Sequence, residues 1–323
     1  MKKIIAICSV LVCLTFTAQA QHEINSFFDE MGMMRLETQE LAKDTTNKLI
    51  TVFHRSDDIV WSRVVYRIVD LRFKQNYQLY TPIAGDDPIY SSLFKVMLTA
   101  VANGMEIYDK SRTTGDIKPY FNEPPISPER IPNMLDTDKG RTLDANGEPV
   151  FLDEVKDIAT SEYMLLNYDS TTQKMTFNSM HFEAAARNQL KYIIQEVVFF
   201  DKHYSRVYSK ILAIAPLWAD NEELTEDTPV MEALYKQLLF WVPFYRLRPY
   251  MAQQYIMPNG NDTKRVTFDE FFAQKLYTSY ILGTNNIYNR LIPEYATTPE
   301  EVVKEQNRIE WELLSAEQDL WEY

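Results

Sequence analysis

Two apolar runs placed back to back constrain this chain more than any other feature. Lys191 to Phe200 is apolar on both faces, through Ile193, Ile194, Val197, Val198, Phe199 and Phe200. Asp201-Lys202-His203 makes a turn. Tyr204 to Ala215 then returns with Val207, Ile211 and Ala213 alternating against Tyr208, Leu212 and Ile214, and Pro216 is expected to close the run. A period of two with apolar residues on both faces reads as a β-hairpin in a sheet covered on both sides. The fold must therefore supply a layer against each face of an antiparallel sheet.

The remaining pattern supplies those layers. Tyr163 to Tyr168 and Lys174 to Phe177 read as shorter strands around an Asp169-Ser170 turn. Ser56 to Lys74 predicts a helix, with Val60, Val64, Ile68 and Leu71 on one face and Arg63, Arg67, Asp70 and Lys74 on another. In that reading Ser56-Asp57-Asp58 caps its start and Asp70 pairs with Lys74 one turn on. A short amphipathic opening lies around Ile24 to Leu41, and a second helix runs from about Ile89 to Asn103, stopped by Gly104. Thr267 and Glu270 form a capping box ahead of Phe271, Phe272, Leu276 and Tyr280. Thr298-Pro299-Glu300-Glu301 opens a last helix reaching about Leu320. Val302, Ile309, Leu313, Ala316 and Leu320 share one stripe of it. Trp311 faces away, either covered by another part of the chain or anchoring another subunit.

Between Thr113 and Glu148 the chain holds Pro119, Pro124, Pro125, Pro128 and Pro132, then turn residues. This is a surface loop or an arm lying on a neighbouring subunit. The expected fold class is α+β: mixed helices packed on an antiparallel sheet with a central β-hairpin. It forms a single compact domain with a Pro-rich excursion and a long C-terminal helix. The expected boundaries are a signal peptide over 1–20, an N-terminal segment over 21–55, the α+β domain over 56–295 with its excursion at 113–148, and the C-terminal helix over 296–323.

Met1-Lys2-Lys3, an apolar stretch from Ile4 to Phe16 and Ala18-Gln19-Ala20 make an export leader, so Gln21 is the expected mature start. The run is too short to span a bilayer. Cys8 follows Ile7 and Cys13 follows Val12, where a lipid-attachment site needs a small residue, so no lipid anchor is expected. Both cysteines depart with the leader, which removes disulfides and thiolate chemistry from the mature protein. With 46 acidic against 33 basic residues and a net charge of −13, the chain has little electrostatic reason to hold nucleic acid or an anionic bilayer. The expected product is periplasmic.

Motifs for chemistry are sparse. No G-x-S-x-G, P-loop or G-x-G-x-x-G occurs. His22, His54, His181 and His203 stand far apart with no metal-ligand spacing and read as ordinary surface or half-buried imidazoles. Asp136, Asp138 and Gly140 fail as a calcium loop, because Gly140 and Arg141 occupy the wrong positions. Acidic pairs such as Asp57-Asp58, Asp86-Asp87 and Glu222-Glu223 fall at turns and helix starts. No catalytic, cofactor-binding or metal-ligating residue is nominated, and no cofactor is expected. Aromatic residues are abundant, with 20 Tyr, and tyrosine suits subunit interfaces as well as cores.

One series of blocks is recognisable. Trp61, Arg67-Ile68-Val69-Asp70-Leu71-Arg72, Lys74, Asn76, Leu79-Tyr80 and Pro82 open it. Phe199-Phe200-Asp201-Lys202, Ile211, Ala215-Pro216, Leu239-Phe240-Trp241 and Arg248-Pro249 continue it, followed by Asn261-Asp262, Arg265 and Asp269-Glu270. Ser279-Tyr280-Ile281 and Asn286-Ile287-Tyr288-Asn289-Arg290 close it. In this order the blocks resemble the GldN/PorN family of the Bacteroidetes gliding-motility and type IX secretion machinery, departing at Phe73, where an acid is expected. The resemblance implies a non-enzymatic periplasmic part that assembles with a GldK/PorK-type outer-membrane lipoprotein into large rings. It also implies contact with the periplasmic portion of the GldL/GldM (PorL/PorM) motor complex, and a role in cargo export across the outer membrane and, in gliding cells, in motility. Two other classes stay open from the residues alone: a periplasmic hydrolase built on unpaired carboxylates, needing two acids of raised pKa in a cleft, and a module that binds exported cargo.

Overall fold

The computed structural model describes residues 49, 52, 54–82, 89–110, 117–119, 121, 124–128, 130–131, 165–177, 182–218, 229–258, 265–286, 288, 290–296 and 298–321. The leader, the Ile24 to Leu41 opening, His22, His181 and the Asp136 to Gly140 stretch lie outside them.

The first long element is a strand, β1 (Ile59–Asp70), preceded by a single 3-10 turn over Ser56–Asp58. This corrects the helix expected from Ser56 to Lys74. Six of its twelve residues are Ile or Val, whose branched Cβ disfavours a helix and suits a strand. Val60, Val64, Ile68 and Leu71 recur at spacings of three and four with Arg63, Arg67 and Asp70 between them, which imitates a helical stripe. In fact Tyr66 and Ile68 point to one layer and Val65 and Val69 to the other side.

Helix α1 (Tyr77–Tyr80) and helix α2 (Leu93–Ala102) follow. The Ser92 hydroxyl caps α2 by accepting from Lys95 N–H. Gly104, at φ +90°, ends it: Met105 N–H donates to Ala100 C=O and Gly104 N–H to Val101 C=O, the paired bonds of a Schellman stop. A small hairpin, β2 (Leu166–Asp169) with β3 (Lys174–Phe177), turns at Asp169 as the sequence indicates. Then come α3 (Phe182–Asn188) and the central hairpin, β4 (Gln189–Asp201) and β5 (Arg206–Trp218). Pro216 does not close β5. Its carbonyl accepts Leu239 N–H on the edge away from β4, so its missing N–H removes no bond from the hairpin.

The remaining elements are α4 (Val230–Gln237), β6 (Val242–Pro243), α5 (Phe244–Met251), α6 (Phe268–Ala273), β7 (Tyr280–Thr284) and α7 (Pro299–Trp321). The capping box of Thr267 and Glu270 is present. Its helix stops at Ala273, however, and Tyr280 belongs to β7. Five strands form one antiparallel sheet in the order β6-β5-β4-β1-β7. The α+β class with a long C-terminal helix is thus observed.

One face of the sheet, through Val69, Tyr192, Ile194 and Ile214, packs on α2, α3, α5 and α6. The other, through Ile68, Ile193, Ala213 and Ala215, packs on Leu234 of α4, Trp241, Leu291 and Ile117. Ile117 belongs to the Pro-rich excursion, and its carbonyl accepts the Trp241 indole N–H at 2.8 Å. Ile126 and Ile131 are buried too. The described part of the excursion therefore lies on its own chain.

Helix α7 packs through Val302, Ile309 and Leu313 onto Val65, Val198 and Ile281. Its start is capped reciprocally by Thr298 and Glu301. Gly283 in β7 makes room for Leu291 in the segment between β7 and α7. A Cβ there would stand 2.6 Å from Leu291 Cδ2 and 3.1 Å from Leu291 Cα.

Candidate functional site

Among the described residues, several buried charged side chains are paired, and three of these pairs tie separate segments together. At the hairpin turn, Asp201 Oδ1 accepts the N–H groups of His203 and Tyr204, which fixes the turn. Its Oδ2 lies 2.5 Å from Nδ1 of His54, and both side chains are 1% exposed. Phe199, Tyr204 and Tyr208 surround the imidazole, with ring centroids 4.9, 5.7 and 4.4 Å away. Burial lowers the His54 pKa from its ordinary value, against the bond to Asp201, and the nearby Lys210 charge lowers it further. Burial pulls the Asp201 carboxyl upward, but the bonds from His54, Tyr204 and His203 outweigh it and hold the group below its usual value. The arrangement is a neutral imidazole donating to a carboxylate. Lys210 is lowered to about 8 by burial, and its Nζ reaches Val52 C=O at 3.4 Å.

Glu196 is a lone acid in the apolar run of β4, beside a register shift in its pairing with β5. Its carboxylate receives Arg67 Nε and Lys275 Nζ, each at 2.7 Å. Burial raises its pKa, yet Lys275 and Arg67 together bring it below the usual range. Lys275 follows α6 with φ +52°, a left-handed stop usually given to glycine. A third pair, Arg248 Nε to Asp269 Oδ1 at 2.7 Å, is buried between α5 and α6. Its outer atoms hold the main chain of Leu49: Leu49 N–H donates to Asp269 Oδ2 at 2.8 Å and Arg248 Nη2 donates to Leu49 C=O at 2.6 Å.

Asp70 ends β1 and pairs with Arg72 in the turn that follows, not with Lys74, because no helical turn brings residues 70 and 74 together. Its pKa is raised by burial and lowered more strongly by Arg72. Asn76 is fully buried as a latch: it donates to the carbonyls of Asp70 and Thr278 and accepts Thr278 N–H. Of the two described histidines, His54 departs from the ordinary role expected of it, while His203 is exposed. The signal for His54 is absent from local sequence, because its partner is 147 residues away. Glu196 was more visible, since one carboxylate in a two-faced apolar strand demands a cation.

Trp311 is 69% exposed on α7, left open by the described residues. Among the described residues, no group of three His, Cys, Asp or Glu is placed to hold a metal. Among the same residues, no helix is long and apolar enough to cross a membrane.

The sequence profile described as "Gliding motility associated protein GldN" matches residues 54–322. The chain belongs to the GldN family. Its matched span begins at His54, the first partner of the buried pairs, and runs through α7. A search among curated proteins finds no match. The residues by which the chain resembles the family include Arg67, Asp70, Arg72, Asn76, Asp201, Arg248 and Asp269. In this GldN-family chain every one of them belongs to a pair or latch described above. Asn286 adds a further one, closing the loop after β7 on the main chain of Arg290.

Proposed function

We propose that this gliding-motility-associated protein is a non-catalytic structural component of the type IX secretion and gliding machinery. In this reading it works in the periplasm, held at the outer membrane by a GldK/PorK-type lipoprotein. It also contacts the periplasmic part of the GldL/GldM (PorL/PorM) complex. Copies associate in a ring, which requires two different surfaces of each protomer to meet.

The observation that carries this reading is the family match over residues 54–322. The interior chemistry supports it. The buried carboxylates Asp70, Glu196, Asp201 and Asp269 each hold a cation or an imidazole donor. For Asp70, Glu196 and Asp201 the pKa moves downward, opposite to what a general acid needs. Fastened carboxylates make a stiff body, as an assembly part requires.

Gentle extraction of the cell envelope followed by sizing and partner identification tests the proposal. The expected result is a very large assembly containing an outer-membrane lipoprotein. A monomer with no lipoprotein partner overturns it.

A further inference from the structure

Helix α7 carries two apolar stripes. Val302, Ile309 and Leu313 form the buried one. Val303, Trp311 and Leu314 form the other. At 100° per residue they fall within an arc of roughly 80° on the outer side, and they are 54, 69 and 50% exposed. A helix that has already buried one stripe gains nothing in its own fold from a second one containing a tryptophan.

The charge around the outer stripe is predominantly acidic, with Lys304 at its edge. Pro299–Trp321 holds seven acidic residues against Lys304 and Arg308. Arg308 is engaged by Glu305 and Glu312 on the same helix, and Glu312 also holds Arg63 of β1. Glu300 and Glu310 stand exposed near the stripe.

We infer that the outer face of α7 docks into an apolar groove rimmed by lysine and arginine on a different polypeptide, with Trp311 as its anchor. Charge complementarity selects this occupant. A second copy of the helix would bring seven more carboxylates, from a chain whose net charge is −13. Residues 21–48 of the chain itself carry six acidic and three basic side chains, the wrong sign to neutralise the face. A nucleic acid or an anionic bilayer would be repelled. Basic side chains around an apolar slot answer both features, fixing orientation by charge and strength by indole burial. This inference rests on the assembly-component reading and names the chemistry of one contact within it.

The test places a benzophenone-bearing residue at position 303 or 314 of the full-length chain, irradiates the intact cell envelope, and maps the adduct by mass spectrometry. The expected adduct joins a different polypeptide at a segment with Lys or Arg near the linked residue. Its yield falls about tenfold or more with Trp311→Ala and several-fold with the pair Glu300→Lys and Glu310→Lys. Thermal unfolding of the Trp311→Ala chain should match the parent, and Leu314→Ser serves as a second variant. Adducts within residues 21–48 or on α7 of another copy overturn the inference, as do no adduct and yields indifferent to these substitutions. Co-sedimentation of the unsubstituted chain with a lipoprotein-containing assembly is read in the same sample. Intact co-sedimentation without the expected adduct rejects this face alone, whereas loss of co-sedimentation rejects the assembly reading as well.

Discussion

His54 Nδ1 lies 2.5 Å from Asp201 Oδ2, a contact that fastens the chain just before the first strand to the turn of the central hairpin. Three bonds converge on Asp201, so one carboxylate both shapes the turn and holds the segment crossing it. His54→Ala leaves that carboxylate buried with one oxygen unmatched. The expected cost is about 3 kcal/mol of unfolding free energy, measured by urea denaturation at pH 7.5.

The same pair sets an acid limit. The folded-state pKa of His54 is depressed, so the unfolded chain binds the extra proton first. Its contribution is complete above the ordinary value of 6.5 and is lost as pH falls below it. Asp70 and Asp201, ordinarily at 3.8, and Glu196, ordinarily at 4.5, are also depressed. Their contributions disappear only at still lower pH. Stability should fall in two stages on acidification, and His54→Gln should flatten the first while leaving the second. Urea midpoints from pH 8 to pH 3 read both.

Lys275 combines an unfavourable φ of +52° with an ion pair to Glu196. Lys275→Ala removes the pair and keeps the strain, whereas Lys275→Gly removes both. The glycine variant should therefore be the more stable of the two by about 1 kcal/mol, a difference visible in thermal melts.

Ile309 and Leu314 lie on opposite terms with the body of the protein. Ile309→Ala opens a cavity beside Val65 and Ile281 and should cost about 3 kcal/mol. Leu314→Ala, on the exposed stripe, should change stability by less than about 0.5 kcal/mol. Parallel denaturation curves check the contrast.

Arg248 holds Leu49 through the main chain, so the grip depends on a planar fork and not on the identity of residue 49. Arg248→Lys should fail to rescue what Arg248→Met loses, because an ammonium cannot reproduce both parallel bonds. Limited proteolysis is the readout, with cleavage near residue 49 accelerated in both variants.

The sheet's centre was legible because β4 and β5 are two long runs apolar on both faces and their turn is short. The capping residues at Thr267 and Thr298 and the stop at Gly104 were legible for the same reason, each being a contact within a few residues. β1 was not, because its Val60, Val64, Ile68 and Leu71 recur at helical spacing with Arg63, Arg67 and Asp70 as a polar stripe, so a period of 3.6 fits the segment as well as one of two. Only the β-branched content of Ile59, Val60, Val64, Val65, Ile68 and Val69 carried the answer. The buried pairs were out of reach, since Arg67–Glu196, Arg248–Leu49 and His54–Asp201 join residues more than a hundred positions apart. The exposure of Trp311 was half legible: helical spacing turned it outward, but only the packed structure shows that the described residues leave it open.

Gly283 has a reach far beyond its own strand. A single methyl group at that position would strike Leu291 and push it outward. Ile292 and Ala296 come directly behind, and Ile309 rests on the same cluster. The smallest side-chain enlargement available would thus press on the segment that leads from β7 towards the long helix.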